Sequence, residues 1–271
     1  MEVVFYNGEF IDNKKISISY YDRAINYGDG FFETIKIINT NLINFSYHIE
    51  RIQLALSILK MKNNYSKSLL ENNVSEIVKI NRIKDGSVKI IFTRSGYGRY
   101  LPKSNQTNIF IKAISGDSYI LNKTVSLCFY EDEKKSLGAI SNIKSINSLV
   151  SVLASIHANE KHYNNAILLN TLGHVIEATN ANIFMVKNNR IFTPPITEGC
   201  VDGTMRKWIC NNIIISEKNI LKQDILDANE VFITNSTNGV IPIKSIEKTY
   251  FKSFNYANLI QKRIINSCLD L

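Results

Sequence analysis

Cysteine and proline are scarce in this chain, with four of each among 271 residues. The cysteines are scattered and form no CxxC pair: Cys128, Cys200, Cys210 and Cys268. This spacing is untypical of a disulfide framework or a zinc site, so we expect reduced, mostly packed thiols. The few prolines and the twelve glycines exclude collagen-like and low-complexity chains. No apolar run approaches the ~18–20 residues that a membrane span needs.

The charge balance is basic, with 32 Lys and Arg against 24 Asp and Glu and a formal net charge of +8. Such a balance suits nucleic acid, a membrane surface or a pocket for anionic small molecules. Because the basic residues are spread without a block of five like charges, we expect neither a nucleic-acid nor a membrane partner. The first ten residues, MEVVFYNGEF, lack the order of a secretory signal, so we expect a cytoplasmic protein.

The pattern of the N-terminal half mixes strands and helices. Asn7-Gly8 predicts a hairpin turn, followed by a second alternating stretch, KISISY. Apolar residues at helical spacing predict helices over Tyr47–Lys60 and Lys67–Ile80. Further strands are predicted at FFETIKII, LINF, VKIIFTR and TNIFIKAI. The polar segment SGDSY near residues 115–119 predicts a linker.

The C-terminal half reads as short strands with fewer helices. The predicted strands are VSLCFY, AILLN, HVIEA, NIFMV, RIFTP, VFITN and VIPI, with a charged turn at EDEKK. The segment from Lys144 to Glu160 is expected to contain a helix that Lys144 immediately precedes, because Leu149, Val152, Leu153 and Ile156 share one helical face. Another is expected at about 204–214. Strict β-α-β alternation is absent, which disfavours a doubly wound nucleotide fold. We predict an α+β protein with domains at 1–117 and 118–271.

Several common catalytic motifs are missing. Gly96-Tyr97-Gly98 lacks the third glycine and the strand-turn-helix setting of a dinucleotide fingerprint. The sequence has no P-loop and no GxSxG. His157 and His162 are five residues apart, the wrong step for one helical face, and no HExxH occurs. We therefore expect no metal site.

Four features could carry chemistry, although each has an ordinary alternative. His48 and Arg51 lie one helical turn apart, a spacing that is more often a solvated helix face. Glu177 has apolar neighbours, yet a lone strand glutamate is more often exposed. Lys144 precedes the expected helix, whose positive dipole end would favour the neutral amine, yet most lysines are surface residues. Gly203-Thr204-Met205 opens another helix, either as an anion-binding turn or as an ordinary one.

The order of these features resembles the class IV, fold-type IV, pyridoxal-phosphate enzymes. This family comprises branched-chain aminotransferases, D-amino acid aminotransferases and 4-amino-4-deoxychorismate lyases. The resemblance covers nearly the whole chain and rests on six motifs in the family's order. They are DRAINYGDGFFET (22–34), HIERI (48–52), IKSINSLVSVLASIHA (143–158), NTLGHVIEATNANIF (170–184), FTPPITEGCVDGTMRKWI (192–209) and FITNSTNGVIPI (232–243).

The resemblance implies a fold, a cofactor and an assembly. It implies a smaller N-terminal α/β-sandwich domain and a larger C-terminal domain with a barrel-like sheet, with pyridoxal 5'-phosphate between them. It also implies a homodimer in which a loop of one subunit reaches the other's site. The expected substrates are an amino acid and a 2-oxo acid.

The resemblance also implies a role for each matched position. Lys144 would form the Schiff base with the cofactor, Glu177 would pair with the pyridine nitrogen, and Arg51 would bind the phosphate. The same lysine amine would act as nucleophile and then carry a proton. The other implied cofactor contacts are Asn182, Thr204, Met205 and Ser236. The implied substrate contacts are Phe32, Arg99, Thr237 and Asn238.

The matched motifs leave the reaction open. Phe32-Glu33 follows the aminotransferase pattern, whereas Met205 before Arg206 and the loop SGYGRY are more similar to the lyases. Arg99 would serve either enzyme, because both substrates bear carboxylates. Ile241-Pro242-Ile243 departs from the usual Thr-Pro-Val and loses a hydroxyl. We expect a transaminase acting on branched-chain L- or D-amino acids, with the lyase as the alternative. A third possibility is a non-catalytic basic binding protein that kept the fold.

Overall fold

A computed structural model describes residues 2–269 of the chain. The chain divides into two compact units. The first runs to Ser118 and also contains Ile143–Asn147, and the second comprises Tyr119–Asn142 and the chain from Ser148 onward. The boundary between residues 117 and 118 stays a prediction. No helix in the described part of the chain has the length and apolar character required to span a bilayer.

The first unit is built on a six-stranded antiparallel sheet in the order β2-β1-β6-β5-β3-β4. Its strands are β1 (Val3–Tyr6), β2 (Glu9–Asp12), β3 (Gly30–Ile38), β4 (Asn41–Leu42), β5 (Gly86–Arg94) and β6 (Thr107–Ser115). Asn7 and Gly8 both have positive φ, 48° and 106°, which confirms the predicted hairpin turn. The longest register joins β5 to β6 over Gly86–Arg94, and β3 pairs with the other side of β5 over Gly30–Ile37.

Three helices belong to this unit: α1 (Arg23–Tyr27), α2 (Phe45–Ile58) and α3 (Lys67–Ile80). The helix α3 has the predicted bounds, and the hydroxyl of Ser66 caps it by accepting from Leu69 N at 3.2 Å. Apolar side chains of α2 and α3 pack on one face of the sheet, against residues such as Ile35, Ile90 and Ile111. Because the side chains of a strand alternate between its two faces, every second residue of β3 points towards α2.

Two strand predictions in this unit are wrong. KISISY (15–20) follows a short 3-10 helix at Asn13–Lys15 and forms no strand, because β2 is already the edge of the sheet. Ile18 is exposed there, so the alternation of this segment has no core to face. Of LINF (42–45) only Leu42 lies in a strand, the two-residue β4, since Asn44 adopts φ 55° and α2 starts at Phe45.

The second unit contains a closed ring of six strands in the order β7-β8-β9-β10-β13-β14, with β14 pairing back to β7. Its strands are β7 (Val125–Lys135), β8 (Asn165–Asn170), β9 (Val175–Ala178), β10 (Ala181–Lys187), β11 (Arg190–Thr193), β12 (Ser216–Glu217), β13 (Glu230–Asn235), β14 (Gly239–Ile246) and β15 (Thr249–Tyr250). The apolar interior includes Leu127, Ile167, Ile183 and Ile233. The predicted α+β fold, with a barrel-like sheet in the larger part, is confirmed.

Four helices accompany the ring: α4 (Leu149–Glu160), α5 (Thr204–Asn212), α6 (Lys222–Leu226) and α7 (Asn255–Leu269). The helix α4 begins at Leu149, five residues after Lys144, whereas the prediction placed Lys144 immediately before the helix. Its small residues Ala154 and Ala158 face the outer side of the ring, while Leu149, Val152, Leu153 and Ile156 are exposed. The predicted turn EDEKK is wrong too, because β7 continues to Lys135 and pairs there with Asn170 of β8.

The thiols follow the expectation from their spacing. All four cysteines are free, and Cys128, Cys200 and Cys268 are buried. Burial raises the pKa of the Cys200 thiol to about 12, because the thiolate is poorly solvated there and lies near Glu177. These cysteines therefore act as small packed side chains.

Candidate active site

A buried ionic cluster joins β3 to α2 in the first unit. Arg51 donates from Nε to Glu33 Oε1 and from a terminal nitrogen to Oε2, both at 2.7 Å, which makes the contact bidentate. His48 Nδ1 lies 2.6 Å from the same Oε2. The three residues are at most 5% exposed. The ordinary alternative, a solvated face for His48 and Arg51, is therefore wrong.

The cluster keeps the carboxyl group of Glu33 ionised. Burial alone would raise the pKa of Glu33, but the charge of Arg51 and the hydrogen bonds from Arg51 and His48 lower it to about 2. Burial also lowers the pKa of His48, although its contact with Glu33 opposes this. Glu33 is thus a carboxylate and His48 a neutral imidazole near neutral pH. The two hydrogen bonds to this carboxylate hold the plane of the Arg51 guanidinium in one orientation.

Lys144 lies beside β3 in an extended segment. Its carbonyl accepts from Phe32 N at 2.9 Å, and Ile146 N donates to the carbonyl of Gly30 at 3.1 Å. The Lys144 ammonium lies 4.6 Å from the centre of the Phe32 ring. The helix-dipole argument for this lysine is wrong, because α4 starts five residues later. Strand pairing, not a helix end, positions the amine.

Gly30→Ala is expected to displace the segment that carries Lys144. A Cβ at position 30 would overlap the carbonyl oxygen of Phe92 and the side chain of Ile146. Because β5 or the lysine segment must shift, we expect the free energy of unfolding to fall by about 1–3 kcal/mol. Denaturant titration measures this change. Gly116→Ala is the control, since its nearest neighbour is 3.6 Å away, and equal stabilities for the two variants would contradict the expectation.

The predicted substrate residue Arg99 also belongs to the first unit. It lies on the loop between β5 and β6, and its side chain is exposed. Arg51 binds Glu33, the charge of Lys144 helps to lower the pKa of His48, and Phe32 contacts Lys144. Within residues 2–269 no hydrogen bond or ion pair joins the side chain of Arg99 to these residues.

In the second unit, a polar row crosses the outer face of the ring. The register pairs Glu177 of β9 with Asn182 of β10, and Asn182 with Thr234 of β13. Directly opposed residues share a face of a sheet, so these three side chains lie side by side. All three are buried. The hydroxyl oxygen of Thr234 has no hydrogen-bond partner within residues 2–269.

The segment before α5 lies across this row. Val201 N donates to Glu177 Oε2 at 2.9 Å, and Asn182 Nδ2 donates to the carbonyl of Val201 at 2.8 Å. A side chain at Gly203 would overlap Asn182 Oδ1, so the glycine permits this close approach. The helix α5 begins with the buried residues Thr204 and Met205 and packs against β13. Its N-terminus is thereby brought to the polar row.

Glu177 has a second partner that the sequence did not indicate. Lys135 Nζ lies 2.5 Å from Glu177 Oε1. The ammonium comes from the end of β7, and both side chains are mostly buried. One oxygen of the acid thus contacts a cation, and the other accepts from a backbone N–H. Glu177 therefore does not occupy the exposed strand position of the ordinary alternative.

The remaining predicted residues form the turn between β13 and β14. The hydroxyl of Tyr119 donates to the carbonyl of Ser236 at 2.9 Å. The hydroxyl of Thr237 and the amide N–H of Asn238 both donate to Asn235 Oδ1, at 3.0 and 2.9 Å. Asn235 thus closes a compact turn, which is a typical role of asparagine. The structure keeps Ser236, Thr237 and Asn238 together at one end of β13.

Residues 30–246 match the model of the family described as amino-transferase class IV. The chain belongs to this family. The predicted family and enzyme class are thereby confirmed.

The chain is similar to relatives and to a solved structure that carry different activity names. It is 28% identical to the D-alanine aminotransferase of Bacillus licheniformis over 90% of this chain and 88% of that protein. It is 29% identical to the aminodeoxychorismate lyase of Vibrio harveyi over 83% of this chain and 86% of that protein. A solved T.th. branched-chain aminotransferase with pyridoxamine 5'-phosphate aligns with a TM-score of 0.90 at 18% identity, covering 98% of this chain and 93% of the other. At that identity the structural likeness concerns the fold alone.

Three residues that contact predicted site residues were not themselves predicted to act: Glu33 and His48 in the first unit and Lys135 in the second. Glu33 lies between Phe31 and Ile35 on β3, and this alternation indicates a buried acid that needs a cation. The His48–Arg51 spacing on α2 supplies that cation, so the pairing could have been found from the sequence. Lys135 had no such signal, since it lies in a charge-rich run 42 residues from Glu177.

Proposed function

We propose that this enzyme uses pyridoxal 5'-phosphate, with Lys144 as the reacting amine, to transfer an amino group between an amino acid and a 2-oxo acid. The observation that carries the proposal is the position of Lys144. Its segment is paired with Gly30 and Phe32, and its ammonium lies over the Phe32 ring beside the Glu33–His48–Arg51 cluster. The family match and the pyridoxamine 5'-phosphate in the T.th. enzyme support this choice.

The residues of the first unit suit the amine and phosphate roles. Arg51 presents a planar guanidinium fixed by Glu33, which suits a phosphate oxygen pair. Lys144 would hold the cofactor through its Nζ, and the same nitrogen, once the substrate amine has released it as a free amine, would take the proton from the substrate α-carbon. The half-buried position of Phe32 excludes water from one side of this amine.

The residues of the second unit suit the ring nitrogen and the phosphate. When bound, pyridoxal phosphate supplies a ring that withdraws electrons from the substrate carbon. Glu177, held by Lys135 and Val201 N, would keep a proton at the ring nitrogen. The N-terminus of α5 at Thr204 and Met205 supplies amides for an anion, and the unpartnered buried hydroxyl of Thr234 fits a polar ligand there. Asn182 positions this segment through Val201, and Ser236 would add a hydroxyl.

The alternative is the aminodeoxychorismate lyase reaction, which releases pyruvate and 4-aminobenzoate. Met205 before Arg206 is more similar to the lyases than to the aminotransferases, and the Vibrio harveyi relative carries the lyase name. Both reactions begin with removal of the α-proton by the same lysine. The two differ only in the fate of the resulting electron pair.

One experiment tests the amine and then separates the two reactions. The protein is loaded with pyridoxal phosphate, reduced with borohydride and digested, and the modified peptide is identified by mass spectrometry. We expect the adduct on Lys144. The unreduced protein is then mixed with L-leucine, with D-alanine or with aminodeoxychorismate, without an acceptor. Conversion of the cofactor to its amine form supports the transaminase, and pyruvate from aminodeoxychorismate supports the lyase. An adduct on another lysine, or none, contradicts the proposal.

We also propose that the enzyme is a cytoplasmic homodimer. Leu149 is 70% exposed on α4, and Val152, Leu153 and Ile156 add to the same apolar face. A face of this kind is covered in many oligomers. The free cysteines are typical of a reducing compartment. Sedimentation velocity checks the dimer, and a monomer at micromolar concentration would contradict it. Cell fractionation checks the location.

A further inference from the structure

Arg23 is a buried arginine whose partners all belong to the neighbourhood of the Arg99 loop. It is 3% exposed. One terminal nitrogen donates to the carbonyls of Gly98 at 2.9 Å and Arg99 at 2.6 Å. The other donates to the carbonyl of Tyr100 at 3.5 Å. One guanidinium therefore binds three consecutive peptide groups at the tip of the loop.

A second arginine ties down the two ends of the same loop. Arg94, at the end of β5, donates from Nε to Asp29 Oδ2 at 2.9 Å. Its terminal nitrogens donate to Asn105 Oδ1 at 2.7 Å and to the carbonyl of Leu59 at 2.6 Å. Arg23 Nε shares the same Asp29 Oδ2, at 2.7 Å. One carboxylate thus links the guanidinium at the loop tip to the guanidinium at its base.

The loop itself is shaped to fit this arrangement. Gly98 has φ +123°, and a Cβ there would lie 2.6 Å from the carbonyl oxygen of Leu101. Lys103 N donates to the carbonyl of Tyr97 at 3.0 Å. By contrast, the exposed guanidinium of Arg99 has no hydrogen bond or ion pair within residues 2–269. The backbone is held while the charged end of Arg99 stays available.

We propose that Arg23, Asp29 and Arg94 form a clamp that holds loop 95–106 in one conformation and so presents Arg99 to the carboxylate of the substrate. This rests on the proposed function, which supplies the carboxylate-bearing substrate. The three residues are positioning residues, since they touch the loop backbone and not the substrate. A surface loop without them would be mobile, and its ordering on binding would lower affinity. A guanidinium held in place suits bidentate recognition of a carboxylate.

Arg23→Lys tests the clamp because a single ammonium cannot reach Asp29 and three carbonyls together. We expect faster hydrogen exchange for the amides of residues 96–103. If the competent loop conformation falls to about a tenth, KM for the reacting substrate rises about tenfold. The substrate is L-leucine, D-alanine or aminodeoxychorismate, whichever the wild type converts. We expect kcat to change less than KM, and the Lys144 adduct to form as in the wild type.

A second loop variant and a control variant complete the test. Gly98→Ala disturbs the loop through the carbonyl of Leu101 and leaves Arg23 in place, so it serves if Arg23→Lys does not fold, and it should raise KM in the same way. Arg263→Lys, on the exposed side of α7, is the control and should match the wild type. Faster loop exchange with an unchanged KM would overturn the proposal, as would unchanged exchange. A wild type that forms no lysine adduct contradicts the proposed function instead, so the two failures are distinguishable.

Discussion

Lys144→Ala is expected to lower kcat/KM by at least about 10⁴-fold, because it removes both the nucleophile and the proton carrier. Its neighbours Gly30 and Phe32 contact the backbone of the lysine segment, so the alanine variant should keep the fold. Steady-state rates with the substrate that the wild type converts measure the loss. The visible absorption of the protein with added pyridoxal phosphate should also lose the band of the lysine-bound cofactor.

Lys89→Ala is the matched control for this variant. The ammonium of Lys89 lies 4.9 Å from the centre of the same Phe32 ring, so both variants remove a cation from one aromatic side chain. Lys89 is exposed on β5 and has no place in the proposed chemistry. We expect its kcat/KM within about threefold of the wild type, as is usual for a surface substitution. Equal losses in both variants, or activity retained by Lys144→Ala, would contradict the assignment of Lys144.

Local signals in the sequence were sufficient for several elements. The helix α3 was predicted to its end residues because its apolar spacing and its flanking residues agree. The Asn7-Gly8 turn was confirmed for the same reason, since only a few residues fit positive φ at both positions. KISISY failed because alternation describes a strand only where a neighbour pairs with it. That neighbour is a tertiary property, and β2 ends the sheet.

The helix α4 shows how periodicity can identify an apolar face and still misjudge its role. Leu149, Val152, Leu153 and Ile156 do share a face, but the structure leaves them exposed. Alanines face the ring because the helix approaches β7 and β8 closely, which small side chains permit. From the sequence, large apolar residues were the better candidates for the core. Whether such an apolar face packs into the core or contacts a partner can be decided only from the tertiary structure or from the assembly.

Some residues of the candidate site could likewise be identified from the sequence, whereas others could be identified only from the structure. The identities of Lys144 and Glu177 come from motifs whose order resembles the family, and this family is confirmed. The partners that set their surroundings, Glu33 and Lys135, come from strand and helix packing. The roles of these residues stay proposals. A motif names the reacting group, whereas its charge environment depends on residues far apart in the chain.

Glu33→Gln is expected to lower the free energy of unfolding by about 3–5 kcal/mol at pH 7, because it leaves the buried Arg51 without its counter-charge. The pKa of Glu33 is about 2 in the folded chain, against an ordinary value of 4.5. Its ionic stabilisation is therefore complete above pH 4.5 and is lost as the pH falls towards 2. The lowered pKa of His48 acts in the same direction below pH 6.5, since protonation favours the unfolded chain.

Urea unfolding at several pH values checks both the size and the sign of this effect. The wild type should lose stability steeply between pH 4.5 and 2, by roughly 3 kcal/mol from Glu33 alone, at 1.36 kcal/mol for each unit of pKa change. The variant should lack this part of the slope, so the two curves approach each other in acid. Glu71→Gln, exposed on α3, is the control and should follow the wild type. Equal stabilities at pH 7 would show that the cluster is not held by charge, and a difference that persists unchanged at pH 2 would point to packing instead.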